Sequence, residues 1–186
     1  IWQGVALWLR KRLDQGLRVV PISLNVSRVD ILACDVAEHM SALAASYNLS
    51  PELMRIEITE TAYTGEPEAV DKLTADLHTR GFSTYMDDFG TGQSTLAMLK
   101  NVNVDVIKLD RTFVPVDGDQ GRSAQIISSM LGMAQSLELP VVIEGIETEA
   151  QAQLLRQMGA RYAQGFLYYR PMPAADFEAL LDGGED

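Results

Sequence analysis

Acidic and amide side chains recur at the ends of apolar segments, and these residue types are suited to binding a hard cation. Asp87 and Asp88 are adjacent, and neighbouring carboxylates repel each other unless a cation or strong hydrogen-bond donors lie close to them. Five other apolar segments end in Asn25, Glu57, Lys108, Glu144 and Gln164. Oxygen ligands of this kind favour Mg²⁺, Ca²⁺ or Mn²⁺. Together these residues indicate a site for one or two divalent cations, with the lysine as a further positive charge.

Each of these residues also has a simpler interpretation when it is considered alone. Asp87-Asp88 could form a solvated turn, because Asp is a common turn residue. Glu57 could form an ion pair with Arg55, two residues away on the same strand face. Lys108 could form a salt bridge with Asp110 or with a neighbouring strand. Six strand ends that all present polar groups are much harder to explain independently, so the joint pattern favours a shared site.

Apolar segments alternate with amphipathic segments along the chain, which is typical of strands that alternate with helices. The expected strands cover residues 17–26, 53–59, 82–86, 104–109, 140–143 and 162–168. The expected helices cover residues 5–15, 29–47, 67–81, 94–101, 123–137, 148–159 and 174–181. Thr148 and Gln151 form a capping-box pattern in one of these helices. Strand alternation predicts that Asp87 and Asp88 point in opposite directions.

The alternation of Val-, Ile- and Leu-rich strands with helices predicts an α/β fold with a parallel sheet covered by helices. The polar strand ends recur at intervals of about 30 residues, which favours a (β/α)₈ TIM-like barrel with its site at the carboxyl ends of the strands. A doubly wound sheet would instead gather its polar groups at one switch point. Six strands out of eight suggest one domain over residues 1–186 that is incomplete at its amino-terminal side.

The composition and the net charge limit the kinds of molecule and metal site that we expect for this chain. Lys and Arg total 15 against 26 Asp and Glu, and the net charge of -11 gives no electrostatic footprint for a nucleic acid polymer or an anionic membrane. A single cysteine, Cys34, excludes an internal disulfide and a cysteine zinc cluster. No apolar run approaches the ~18 residues of a membrane span, so we expect a cytoplasmic chain whose parent protein could still carry an anchor.

Six segments of the sequence resemble a known family, the EAL-domain phosphodiesterases that hydrolyse cyclic dimeric GMP in bacteria. The segments occur in the family's order and spacing across nearly the whole chain. They are Ser23-Leu24-Asn25-Val26-Ser27, Glu57-Ile58-Thr59-Glu60, Asp87-Asp88-Phe89-Gly90-Thr91-Gly92, Lys108-Leu109-Asp110, Glu144-Gly145-Ile146-Glu147 and Gln164-Gly165-Phe166.

The resemblance implies a site for two ions of Mg²⁺ or Mn²⁺. By that resemblance Asn25, Glu57 and Asp87 bind one ion, and Asp87 together with Asp88 binds the second. Glu144 serves the second ion or the attacking water. The reaction implied is metal-dependent hydrolysis of cyclic dimeric GMP to linear pGpG.

The same resemblance assigns roles to five further residues. Lys108 orients the water and the phosphate, Asp110 supports the lysine, and Gln164 assists in substrate binding. Glu60 anchors the loop that follows the paired aspartates, and Glu147 lies at the guanine edge of the substrate. An upstream sensor or GGDEF domain is an expected neighbour in the parent protein, and a homodimer is one expected arrangement.

The sequence also departs from the family pattern. The family's Glu-Ala-Leu segment, with a metal-binding glutamate, is expected to precede the region where this chain starts. Gln93 replaces a usual aromatic residue and Ile143 a usual alanine, and neither change affects a charged position. We therefore expect these residues alone to be catalytically weak or to need their strand edges paired by other residues or by another chain.

Two other functions remain open at this point. The first is a catalytically inactive receptor that binds the dinucleotide without cleaving it. The second is an enolase-type barrel, which would use one metal site of three carboxylates and a lysine base. Adjacent Asp87 and Asp88, together with Asn25, suit two metal ions better than one.

Overall fold

Six parallel strands form a single sheet whose spatial order follows the chain order. The computed structural model describes residues 1–91, 103–115 and 121–183. The strands are β1 (Ile22–Val26), β2 (Met54–Thr59), β3 (Ser83–Phe89), β4 (Val106–Leu109), β5 (Val141–Ile143) and β6 (Tyr162–Ala163). The α/β architecture and the six expected strands are confirmed, and β1 and β6 form the two edges of this sheet.

Helices cover one face of the sheet, and in the described residues they connect β1 to β2, β2 to β3, β4 to β5 and β5 to β6. They are α1 (Trp2–Asp14), α2 (Arg28–Ala33), α3 (Val36–Ser46), α4 (Glu60–Gly65), α5 (Pro67–Thr79), α6 (Arg122–Ser136), α7 (Glu149–Gln157) and α8 (Ala174–Gly183). Short 3₁₀ turns occupy Pro51–Leu53 and Arg111–Phe113. The described helices include none with the length and apolarity required to cross a bilayer.

Strand alternation separates an apolar face from a polar face in this sheet. Ile56 and Ile58 of β2 are fully buried in the same hydrophobic cluster as Val70 and Leu77 of α5. Complete burial of such a side chain stabilises a fold by about 1.5–3 kcal/mol. The residue between the two isoleucines, Glu57, points to the opposite face, so the core fixes which side chains reach the polar side.

The first and last helices are joined by polar and aromatic contacts. The indole Nε1 of Trp8 donates a hydrogen bond of 2.6 Å to Glu178, and its ring packs against Phe177. The buried guanidinium of Arg12 forms a salt bridge with Asp182. These contacts hold α1 and α8 together.

Two expected elements differ from the structure because of local hydrogen bonding. The predicted helix over 29–47 is divided into α2 and α3, because Asp35 caps α3 by accepting a hydrogen bond of 2.9 Å from the backbone N–H of Glu38. The α4 helix was missed, and it begins after Thr59, whose side chain accepts a hydrogen bond from the backbone N–H of Ala62. The predicted helix over 94–101 lies outside the described residues.

Three strands differ most in length from their predictions, and the first of them, β1, begins at Ile22 and not at residue 17. Strand β6 ends at Ala163, because the chain turns at Gly165, where an added Cβ would lie 2.2 Å from the carbonyl oxygen of Ile146. Strand β3 is longer than predicted and continues through Asp87 and Asp88 to Phe89. The paired aspartates therefore lie within the sheet and not in the turn that follows it.

Candidate functional site

The polar strand ends lie together on the face of the sheet that the helices do not cover. Asn25 of β1 is in register with Glu57 of β2, and Glu57 is in register with Tyr85 of β3. Asp87, two residues after Tyr85, is in register with Thr59. Because neighbouring strands are parallel, residues in register project from the same face, and the sheet brings these side chains to one edge.

Lys108 is the centre of this group of side chains. Its Nζ atom lies 3.1 Å from Glu57 Oε2, 2.8 Å from Asp87 Oδ1 and 2.7 Å from Glu144 Oε1. The lysine side chain is only 7% exposed, so it is largely removed from water. Burial opposes the charge on Lys108, but hydrogen bonds to Asp87 and Glu144 outweigh burial and raise the pKa of the lysine. The ammonium thus carries its charge inside a ring of three carboxylates.

The simpler interpretation of Glu57 as a partner of Arg55 is wrong. The salt bridge of Glu57 is made with Lys108, and the guanidinium of Arg55 lies 5.5 Å from the ring centroid of Tyr85. The alternative for Lys108, a salt bridge to neighbouring strands, is correct. The lysine contacts carboxylates from the ends of three strands at once. The contacts of Lys108 therefore link β2, β3 and the end of β5.

A β-bulge places both paired aspartates on the site side of the sheet. Met86 is in register with Ile107, but Phe89 is in register with Leu109, so β3 contains an extra residue relative to β4. Asp88 takes a positive φ of 55°, which is uncommon for residues other than glycine but accessible to Asp. The expectation that Asp88 points away from Asp87 is therefore wrong, because the bulge breaks the alternation.

The bulge creates a compact group of three carboxylates. One oxygen atom from each of Asp87, Asp88 and Glu144 lies within 4.8 Å of the other two. Burial, followed by the charges of Asp87 and Asp110, raises the pKa of Asp88, and burial likewise raises the pKa of Glu144. Crowded carboxylate oxygens with disfavoured negative charge are the donor set that a hard divalent cation would stabilise. These residues fit a Mg²⁺ or Mn²⁺ ion.

Glu60 fixes the loop that follows the paired aspartates. The side chain of Glu60 is fully buried at the start of α4. Its Oε2 atom accepts a hydrogen bond of 2.7 Å from the backbone N–H of Gly90. The predicted loop anchor is therefore in contact with the loop two residues after Asp88.

The 3₁₀ turn Arg111–Phe113 is packed between two loops of the site. Gly90 has a φ of 95°, and an added Cβ would lie 2.3 Å from the ring of Phe113. Gly145, directly after Glu144, has a φ of 74°, and an added Cβ would lie 2.2 Å from the Cβ of Arg111. Only glycine tolerates both the conformation and the close approach, so the turn sets the separation of the two loops.

Asp110 caps this turn and is not among the salt-bridge partners that the structure shows for Lys108. Its carboxylate accepts a hydrogen bond of 2.9 Å from the backbone N–H of Thr112. Burial alone would raise the pKa of Asp110, but the hydrogen bonds from Thr112 and Arg111 outweigh burial and lower it. Any support that Asp110 gives to Lys108 is therefore through the turn that follows β4.

Two of the remaining predicted residues, Asn25 and Gln164, lie beside the Lys108 cluster. Asn25 is exposed on β1 beside Glu57, and its backbone oxygen accepts a hydrogen bond of 3.2 Å from Trp2. Gln164 lines an open cavity of about 380 Å³ together with Glu57 and Lys108. Glu147 is exposed before α7, where its backbone N–H donates to Gln151 Oε1 at 2.9 Å. Among the described contacts, Glu147 has none with the cluster.

The cavity also contains aromatic and basic residues that the sequence interpretation missed. Its lining includes Arg55, Tyr85, Tyr162, Tyr168 and Tyr169. Arg55 and Tyr85 lie two residues before Glu57 and Asp87 on the same strand faces. The period-two alternation could have identified these two residues, whereas Tyr168 and Tyr169 follow the turn at Gly165 and carry no such signal.

Comparison with known proteins places this arrangement in a family. The family model of the EAL domain matches residues 3–171. The cyclic di-GMP phosphodiesterase RocR of Pseudomonas aeruginosa is 37% identical over 181 residues, which cover 97% of this chain and 46% of RocR. The chain spans less than half of the length of this relative.

Solved structures share the fold. The structure of the MucR phosphodiesterase in complex with c-di-GMP has a TM-score of 0.84 and 29% identity, covering 95% of this chain and 76% of that chain. MucR of Pseudomonas aeruginosa is named a bifunctional diguanylate cyclase/cyclic di-GMP phosphodiesterase; it is 32% identical over 93% of this chain and 25% of MucR. The manganese/cyclic di-GMP complex of BlrP1 from Klebsiella pneumoniae has a TM-score of 0.79 and 28% identity, covering 90% of this chain and 42% of that chain. The chain belongs to the EAL domain family, and its fold is the TIM-barrel-like fold of these neighbours.

Proposed function

We propose that this chain is the catalytic part of a phosphodiesterase that hydrolyses cyclic di-GMP to linear pGpG. The single observation that carries the proposal is the group of Asp87, Asp88 and Glu144 around the buried ammonium of Lys108. The names of RocR and MucR, and the cyclic di-GMP complexes of MucR and BlrP1, support the choice of substrate. Membership of the EAL family also makes an enolase-type reaction unnecessary as an explanation of the acidic strand ends.

The proposed cofactor is a pair of Mg²⁺ or Mn²⁺ ions. Asp87, Asp88 and Glu144 would hold one ion, and Asn25 and Glu57, together with Asp87, would hold the other. The manganese complex of BlrP1 supports the type of metal. When bound, such ions lower the pKa of a water molecule and neutralise charge on the oxygens of a phosphodiester.

The side chains of the chain would position the substrate around these ions. The Lys108 ammonium carries three N–H donors at the centre of the site and would donate to a phosphoryl oxygen or orient the attacking water. Gln164 borders the same cavity and would donate its amide N–H to the substrate. Glu60 would keep the loop after Asp88 in place through its bond to Gly90.

The net charge of the chain is consistent with a substrate that is attracted by the cations and by Lys108. A net charge of -11 does not attract an anionic dinucleotide, so the attraction would come from the cations and from Lys108. We also propose a GGDEF or sensor domain as a neighbour in the parent protein, for which the bifunctional name of MucR is the support. The cytoplasmic location, a homodimer and the role of Glu147 stay predictions.

The decisive experiment is incubation of the full protein with cyclic di-GMP and Mg²⁺ or Mn²⁺, with linear pGpG measured by chromatography. The unchanged protein should form pGpG, and Asp87→Asn should abolish it. The matched control is Asp76→Asn, because Asp76 is an acid of α5 whose partner is the exposed Lys72. Binding of cyclic di-GMP without turnover would identify a receptor, and full activity of Asp87→Asn would contradict the proposed site.

A further inference from the structure

Lys108 brings a positive charge from within the chain to the carboxylate cluster. An ammonium group has three N–H donors, and the three carboxylates of Glu57, Asp87 and Glu144 lie within 3.1 Å of its nitrogen. A buried lysine is costly unless its charge is paired, and here three carboxylates form salt bridges with it. The structure therefore shows a cluster that is already supplied with one positive charge from within the chain.

Lys108 and a divalent cation would draw on two of the same carboxylates. Asp87 and Glu144 are partners of Lys108, and they are also two of the three carboxylates that could hold a cation. Two positive charges brought to these carboxylates repel each other, and the repulsion is weakly screened at Lys108, whose side chain is only 7% exposed. Binding of a divalent cation would thus compete with the contacts of Lys108.

We propose that Lys108 is an internal counter-ion that occupies the cluster before the metal binds and is displaced from Asp87 and Glu144 when it does. The inference rests on the proposed function, because it requires that the cluster binds a divalent cation. Its consequence is an order of events. Before the metal binds, the three donors of Lys108 are engaged by carboxylates, and only after displacement would the ammonium be free to face a phosphate in the adjoining cavity.

The first test measures Mn²⁺ affinity by calorimetry or by electron paramagnetic resonance, with no substrate present. In the full protein, Lys108→Met removes the competing ammonium, and Mn²⁺ binding is expected to become about tenfold tighter, equivalent to ~1.4 kcal/mol. Arg111→Met removes a positive charge next to Asp110 and keeps the packing of its Cβ on Gly145. Lys72→Met makes the same change of net charge on the exposed surface of α5.

A second test uses the unchanged protein, so it does not depend on the folding of any variant. Labelling of lysines with an amine-reactive reagent is measured by mass spectrometry with and without Mn²⁺. Lys108 is 7% exposed and should be labelled slowly without metal, and its labelling should increase when Mn²⁺ displaces it. Lys72, which is 74% exposed, provides the internal reference and should not change.

The outcomes separate this inference from the proposed function. Tighter Mn²⁺ binding by Lys108→Met alone, or faster labelling of Lys108 with Mn²⁺, supports displacement. Equal affinity of Lys108→Met and the unchanged protein, an equal gain in Arg111→Met, or labelling of Lys108 that ignores saturating Mn²⁺ overturns displacement while the metal site stands. If neither the unchanged protein nor Lys108→Met binds Mn²⁺, the metal site and the displacement are both overturned.

Discussion

Glu60 Oε2 accepts a hydrogen bond of 2.7 Å from the backbone N–H of Gly90, which lies 30 residues later in the chain. This bond connects the beginning of α4 to the loop after Asp88 and so links the position of that loop to the helix behind it. A hydrogen bond to a charged group contributes about 1.5–3 kcal/mol, which is enough to select one loop conformation. A residue of α4 therefore stabilises the loop that follows the paired aspartates.

Glu60→Gln should lower the rate of pGpG formation by a larger proportion than it lowers the free energy of unfolding. The amide keeps an oxygen that can accept from Gly90, but it loses the charge that strengthens the bond, so the loop should become less ordered around Asp88. The measurements are pGpG formation and urea unfolding of the full protein. Glu68→Gln, an exposed residue of α5, is the control, and an equal loss in both variants would contradict the anchoring role of Glu60.

Gly90→Ala should destabilise the protein by about 1–3 kcal/mol, since the new Cβ would meet the Phe113 ring at 2.3 Å and the φ of 95° disfavours a side chain. The measurement is urea unfolding. Gly132→Ala is the control, because Gly132 lies in α6 with open space around it. The free energy of unfolding of this variant should increase by about 0.5–1 kcal/mol.

The clash with Phe113 can be tested separately from the backbone strain. Phe113→Ala in the Gly90→Ala background should restore part of the lost stability, although Phe113→Ala alone should destabilise the protein. Simple additivity of the two changes in unfolding free energy would show that the ring of Phe113 does not press on Gly90. Such a result would also remove the 3₁₀ turn as the element that separates the two loops of the site.

The strand ends were predictable because the sheet obeys short-range rules. Asn25, Glu57 and Asp87 each follow an apolar segment with regular alternation, and parallel pairing brings such residues together. The start of α3 could also have been predicted, because Asp35 and Glu38 form a capping pattern. It was missed because the helical periodicity continues across this position. These features depend on residues within a few positions of one another.

The direction of Asp88 was not predictable, because it depends on a bulge defined by the neighbouring strand. The extra residue in β3 is visible only when its pairing with Ile107 and Leu109 of β4 is known. The early end of β6 has a similar cause, because Gly165 packs on the backbone of Ile146. Long-range contacts of this kind decide the details of the site, whereas local pattern decides its location.

Asp88→Asn should stabilise the metal-free protein at pH 7, by less than about 1 kcal/mol because the residue is exposed to solvent. Burial and the charges of Asp87 and Asp110 raise the pKa of Asp88, so the fold disfavours its charged form. Asn also tolerates the positive φ at this position. Because the pKa of Asp88 is higher in the folded protein than in the unfolded protein, the folded state binds more protons at pH values between the two. The contribution of this proton binding to the free energy of unfolding is lost as the pH rises through the folded pKa.

The pH dependence of this variant tests the cause of the effect. The advantage of Asp88→Asn should shrink as the pH falls from 7 through the raised pKa of Asp88 towards its ordinary value of 3.8, because the aspartate then becomes neutral as well. Urea unfolding with a metal chelator at several pH values measures this, with Asp76→Asn as the control. An advantage that is the same at every pH would show that the backbone conformation, and not the repulsion between carboxylates, sets the stability of the bulge.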